Sequence, residues 1–212
     1  MLPALERRHE VLAPTLAGHA GGPPVEPGGL SNLTLADAVE RAMDDVGFGV
    51  ADIAGNSLGG YVALQLATRG RASSVVTFAP AGGWAAGDES YRDTLAAQAE
   101  LIELMKRVAP LAGGDDLIAH QMLGVAAAPA STEMLEHALR EGWTIEPERI
   151  TCPVRVVWGT EDSFLRWPEA AARYREEWLP HADWVVLDGA GHAPQLEVPL
   201  EAAELILGFT TD

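Results

Sequence analysis

One serine, set between closely spaced glycines at the junction of a strand pattern and a helix pattern, constrains this chain more than any other feature. Residues 49–54 read as a strand and run directly into Gly55-Asn56-Ser57-Leu58-Gly59-Gly60. A helix pattern follows, carrying Val62, Leu64, Leu66 and Ala67 and stopped by Gly70. A serine hydroxyl is a weak nucleophile until a base takes its proton and its Oγ is exposed to substrate. A sharp strand-to-helix turn exposes it, with Gly55 and Gly59 expected where a Cβ would collide with neighbouring backbone. The helix N-terminus behind Ser57 favours developing negative charge.

The rest of the chain fits that turn. Short apolar runs alternate with helix-period segments, the signature of a parallel sheet wrapped by helices. Residues 2–8 predict a helix and His9–Pro14 a strand, and the Gly- and Pro-rich stretch from Thr15 to Asn32 predicts a loop. Thr34, with Asp37 three residues on, predicts the cap of a helix whose apolar face is Leu35, Val39, Ala42, Met43 and Val46. Ser74–Phe78 predicts a further strand. Residues 82–149 then offer only helical patterns, including Leu101, Leu104, Met105 and Val108, residues 117–123, and Met134–Leu139 after a Ser131 cap. Strand character returns at 153–158 and 184–187, with helices at about 168–178 and 196–208. The expected class is α/β, a mostly parallel sheet flanked by helices. Residues 1–81 and 150–212 form its core and 82–149 an inserted helical cap.

Two later turns supply partners for the serine. After the 153–158 strand comes Gly159-Thr160-Glu161-Asp162, and after the 184–187 strand comes Asp188-Gly189-Ala190-Gly191-His192. An acid and a histidine following the serine in that order, each on a turn after a later strand, fit a triad. Ser57 is then the nucleophile, His192 the general base and Asp162 the acid that orients it.

Composition narrows the partners. Fourteen basic residues stand against 31 acidic ones, a formal charge of −17, and Lys106 is the sole lysine. That field repels a phosphate backbone and an anionic membrane surface alike, so neither nucleic acid nor membrane is expected. One cysteine, Cys152, allows no internal disulfide, and no Cys/His spacing suits a metal. The first residues hold no apolar leader, and no stretch nears the roughly 18 apolar residues of a membrane span. A cytoplasmic setting is expected.

These motifs resemble the α/β-hydrolase family over nearly the whole chain. Beside the elbow, Val11-Leu12-Ala13-Pro14 with Gly18-His19 is similar to the family's strand and loop ahead of it. Ile150-Thr151-Cys152-Pro153-Val154 leading to Trp158-Gly159 and Asp162 is similarly typical, as is Gly191-His192 leading to Pro194, Glu197 and Pro199. The resemblance implies a mostly parallel sheet of eight strands and no cofactor. It also implies Ser57, Asp162 and His192 as triad and the backbone N–H of Leu58 as one oxyanion donor. The family's second donor sits in a His-Gly-type loop after a central strand, and this chain begins after that point. One expectation is that the sequence upstream of Met1 encodes, in frame, that strand and loop. The other is a short form in which the 10–14 strand pairs directly with the 49–54 strand.

The function expected is hydrolysis of small or medium apolar esters through an acyl-enzyme. Asn56 before the serine resembles the elbow of meta-cleavage-product hydrolases, which makes C–C bond hydrolysis the rival. That reaction needs a cation over the substrate carboxylate, for which Arg92, Arg107, Arg140 and Arg166 are candidates. A third reading, from the missing donor, is a hydrolase-fold protein that binds but turns over feebly, since one such donor is worth about 3–4 kcal/mol. His19 reads as a turn residue, His9, His120, His137 and His181 as structural or solvated, and Cys152 as a buried inert thiol. Trp84, Trp143, Met105, Met122 and Met134 read as the cap's own core rather than an acyl pocket.

Overall fold

The computed structural model describes residues 1–85 apart from 20 and 27, residues 130–210, and isolated helical positions between 92 and 107. Four strands, β1 (Ala51–Asn56), β2 (Ala72–Phe78), β3 (Val154–Gly159) and β4 (Asp183–Leu187), form one parallel sheet in that order. Their C-terminal ends are in register: Asn56 lies beside Phe78, Phe78 beside Val157, and Gly159 beside Leu187. The two central strands carry β-branched runs because both of their faces are covered. Val75, Val76, Thr77, Val156, Val157 and Trp158 are all buried.

Helix α1 (Leu2–Leu5) is shorter than its pattern suggests, and α2 spans Asn32–Asp45. Helix α3 (Leu58–Thr68) follows the elbow and is buried from Gly60 to Thr68, packing on β1 and β2. Helix α4 (Ala130–Glu141) bears out the expected helix but starts at Ala130, so Ser131 lies inside its first turn and does not cap it. Near the C-terminus, α5 (Pro194–Glu197) and α6 (Pro199–Leu207) replace one continuous helix. The break is at Val198, because the ring of Pro199 drives the preceding residue out of the helical region. In place of a regular 168–178 helix there are turns and a π-helical turn at Tyr174–Trp178. The sheet face opposite α3 packs Leu5, Val76, Phe78, Val157, Leu187, Ala202, Ala203 and Ile206 into one cluster.

The chain divides into two compact units, one of residues 1–13, 40–83 and 143–212, the other of residues 14–39 and 84–142. The first holds the sheet. In the second, Trp84 and Met134 are buried and the Trp84 indole N–H donates to the Ala138 carbonyl at 3.2 Å. Much of the 82–149 segment, Met105, His120, Met122 and the 117–123 pattern included, lies outside the described residues.

Several expectations are corrected. His9–Pro14 is not a strand: Val11 rests its side chain against the core cluster, but its backbone joins no ladder, and a strand is stable only when paired. Among the described residues β1 therefore pairs on one side alone, which removes the short form in which residues 10–14 close onto it. The parallel sheet has four strands among the described residues, not eight. The 82–149 segment is not wholly helical, since Trp84–Ala85 and Gly142–Trp143 are extended. Trp143 stacks on Tyr61 of α3, ring centroids 5.1 Å apart, and so belongs with the sheet unit. The cap of α2 is Ser31, whose Oγ accepts from the Thr34 N–H at 3.1 Å.

Candidate active site

Because the strands are parallel, the loops leaving β1, β3 and β4 all emerge at one end of the sheet, the end where such folds place their chemistry. Ser57 follows β1 at once. Its backbone angles, φ 53° and ψ −118°, are ones that a residue with a side chain rarely adopts. Such strain costs on the order of 1–3 kcal/mol and persists only where neighbours over-determine it. They do: the Ser57 N–H donates to the Phe78 carbonyl (2.9 Å), and its own carbonyl accepts from Tyr61 N–H (3.0 Å) and Ala81 N–H (2.9 Å). A Cβ on Gly55 would drive into the Gly59 backbone, so that glycine is obligatory. Gly59 is different, since a Cβ there meets nothing, and the second crowded position is Gly60, against Thr77 Oγ1. Leu58, whose N–H is the expected oxyanion donor, is the first residue of α3.

Asp162 is buried in the turn after β3. Its Oδ1 accepts two backbone N–H groups, from Phe164 and Leu165, each at 2.8 Å, and its Oδ2 lies 2.7 Å from Nδ1 of His192. The two backbone donors fix the carboxylate plane, leaving one oxygen to orient the imidazole. The Phe164 ring stacks on the imidazole at 5.0 Å between centroids. The turns are laced together as well: Glu161 N–H donates to the Ala190 carbonyl (2.9 Å) and Gly189 N–H to Thr160 Oγ1 (2.9 Å). This approach requires Gly159 to be glycine, because a Cβ would meet the Ala190 and Gly191 carbonyls.

Thus Asp162 and His192 touch, and Ser57 comes to them through its neighbour Asn56, whose Nδ2 donates to the His192 carbonyl at 2.8 Å. Among the described residues no hydrogen bond joins Ser57 to His192 directly. Sequence reasoning missed Phe164, Gln195 and the role of Glu197. Only Glu197 had a signal, its place in the Pro194–Glu197–Pro199 pattern. His19 sits in a turn, with Nδ1 3.1 Å from the Ala17 carbonyl. His9 lies 3.3 Å from Thr210 Oγ1, and His181 is exposed. Cys152 is half-buried rather than buried, and that burial pushes its thiol up from its ordinary range. No group of metal-ligating side chains occurs among the described residues.

Residues 1–205 match the model of the "Alpha/beta hydrolase family". The chain belongs to the α/β-hydrolase family. One relative, "Epoxide hydrolase EphH" of Mycobacterium tuberculosis, is 33% identical over 204 residues, spanning 85% of this chain and 95% of the relative. Among solved α/β-hydrolases, the meta-cleavage product hydrolase CumD of Pseudomonas fluorescens superposes with a TM-score of 0.73 at 21% identity, covering 98% of this chain and 81% of that one. A thermophilic esterase of Thermogutta terrifontis gives 0.69 at 21% identity, covering 91% and 76%. The two structural likenesses bear on the fold. The family match makes this chain a hydrolase of the α/β type, in keeping with the parallel sheet and its flanking helices.

Proposed function

We propose that the chain hydrolyses carboxylic esters of small or medium apolar acids or alcohols, in the cytoplasm, with Ser57, His192 and Asp162 as its triad. The observation that carries this reading is the 2.7 Å contact from His192 Nδ1 to an Asp162 carboxylate already fixed by two backbone N–H groups. With Nδ1 bound to Asp162, Nε2 is free to accept a proton. Ser57 Oγ attacks the ester carbonyl as its proton passes to His192 Nε2, and Leu58 N–H steadies the oxyanion. The C–O bond breaks as His192 returns the proton to the alcohol, leaving an acyl-serine. Water repeats the sequence, giving its proton to His192 and its hydroxyl to the acyl carbon. The acid departs and Ser57 recovers its proton.

The relative named an epoxide hydrolase motivates a second reading, epoxide opening. Covalent opening by a serine would form an ether, which water cannot cleave as it cleaves an ester. Among the described residues, the phenols that could protonate an epoxide are also engaged: Tyr61 OH donates to the Thr144 carbonyl (2.7 Å) and Tyr174 OH to the Ala81 carbonyl (2.8 Å). Epoxide hydrolysis would therefore need water activated directly by His192. A panel of p-nitrophenyl esters, one aryl epoxide and one vinylogous 1,5-diketone, run on wild type and Ser57→Ala, separates the readings. Ester turnover and fluorophosphonate labelling, both abolished by Ser57→Ala, are the expected result. Epoxide turnover that survives Ser57→Ala, turnover of the diketone alone, or ester binding with no turnover would each overturn the proposal.

A further inference from the structure

Asn56 and Gln195 take no part in the proton transfers, yet they lie between the elbow and the histidine loop. The Asn56 amide Nδ2 donates to two carbonyls, Phe78 at 3.1 Å and His192 at 2.8 Å. Two acceptors facing one end of an amide admit only the NH2 there, so its orientation is fixed by chemistry. Oδ1 must then face the other way, where it accepts from Gln195 Nε2 at 3.0 Å. That in turn fixes Gln195, whose Oε1 is left buried and without a partner among the described residues. An unsatisfied buried acceptor is costly, a penalty tolerated here in an arrangement that leaves Asn56 one orientation. From the opposite side, Glu197 accepts the N–H groups flanking the histidine, Gly191 at 2.7 Å and Ala193 at 3.2 Å. The His192 main chain is thus gripped at its carbonyl and at both neighbouring amides.

We propose that Asn56, held in one orientation by Gln195, is a positioning residue that keeps the His192 main chain in register with Ser57. The inference rests on the triad reading, in which the Ser57–His192 separation matters although no hydrogen bond between them sets it. Asn56 adjoins Ser57 in the chain, so its bond to the His192 carbonyl is a short mechanical link between nucleophile and base. Ring orientation belongs to Asp162. Placement of the backbone belongs to Asn56 and Glu197.

The test is Asn56→Asp, isosteric but presenting oxygen to both carbonyls, with Gln195→Ala carrying the same readouts should that variant not fold. Ester hydrolysis should lose kcat by about 100-fold with KM little changed, the loss expected of a 1 Å misplacement. The loss should vanish in a His192→Ala background, because a residue acting through His192 has nothing left to position. Hydrogen exchange gives a readout free of turnover: residues 190–195 should lose protection while the β2 and β3 strands keep theirs. Unchanged exchange at 190–195, exchange accelerated equally throughout, or unchanged kcat with turnover still dependent on Ser57 would overturn the proposal. Absence of Ser57-dependent turnover in the wild type would sink the triad reading instead, and exchange would still decide whether Asn56 holds the loop.

Discussion

Asp162 presents each carboxylate oxygen to a different duty, and the difference makes a sharp prediction. In Asp162→Asn the retained oxygen can still accept from Phe164 and Leu165, so the turn should hold. The new NH2 then faces His192 Nδ1 and forces the tautomer with its proton on Nε2, where the proposed mechanism needs an acceptor. Ester kcat should fall by a factor on the order of 10⁴ with Tm nearly unchanged. A drop of less than tenfold would show that the carboxylate does not orient the base. The elbow glycines give a second contrast. A Cβ at Gly55 meets the Gly59 main chain, which cannot swing aside, whereas at Gly59 it meets open space. Gly55→Ala should cost roughly 1–3 kcal/mol or more, as overpacking does, while Gly59→Ala should leave Tm unchanged or slightly raised. Equal destabilisation by the two, measured in denaturant titrations, would contradict the crowding argument. The motif as a string gives both glycines the same weight, and only the path of the backbone tells them apart.

Among the elements, α2 carries the clearest test. Its first turn is capped by Ser31 Oγ, which accepts the Thr34 N–H, while Thr34 Oγ1 itself donates to the Gly29 carbonyl at 2.9 Å. Ser31→Ala should therefore cost about 1 kcal/mol, seen as a shift in the urea midpoint at constant slope. If Thr34→Ala were the costlier change, the helix would start where the Thr34–Asp37 spacing suggests. The cap is misread from sequence because hydroxyls at 31 and 34 satisfy similar patterns, and the choice depends on where the chain turns. The two central strands are legible for a better reason: runs such as Val75–Val76 and Val156–Val157 are what burial on both faces demands. His9–Pro14 has a similar composition but is irregular, since composition cannot report whether a neighbour is present to pair with. That Ser57, Asp162 and His192 come to one end of the sheet is legible because each follows a parallel strand. Asn56 and Gln195 are not, because their partnership spans most of the chain and leaves no local spacing behind.

At the scale of the whole molecule, charge is the dominant unbalanced quantity. Thirty-one acidic residues face 14 basic ones. Several of the basic groups are already committed to short pairs: Arg69 with Glu40 (2.8 Å), Arg71 with Glu40 and Asp44, and Arg155 with Asp183. Salt acts on the two populations in opposite senses. It weakens these pairs, but they are at least partly exposed and such pairs are worth only about 0–1 kcal/mol each. It also relieves the mutual repulsion of the excess carboxylates, which is spread over many longer separations and is felt most when the screening length is long. That length falls from about 30 Å at 0.01 M to about 8 Å at 0.15 M ionic strength, below the separation of most carboxylates on a protein of this size. Repulsion should therefore lose more than attraction. Raising NaCl over that interval at constant pH should raise Tm by a few degrees, since about 1 kcal/mol moves Tm by roughly 2–4 °C for a domain of this length. Calorimetric scans at matched concentrations of NaCl and KCl separate screening, which is common to both, from any effect of a particular cation. A Tm that falls with salt in both series would mean that the arginine pairs, not the excess of acid, govern the electrostatic part of stability.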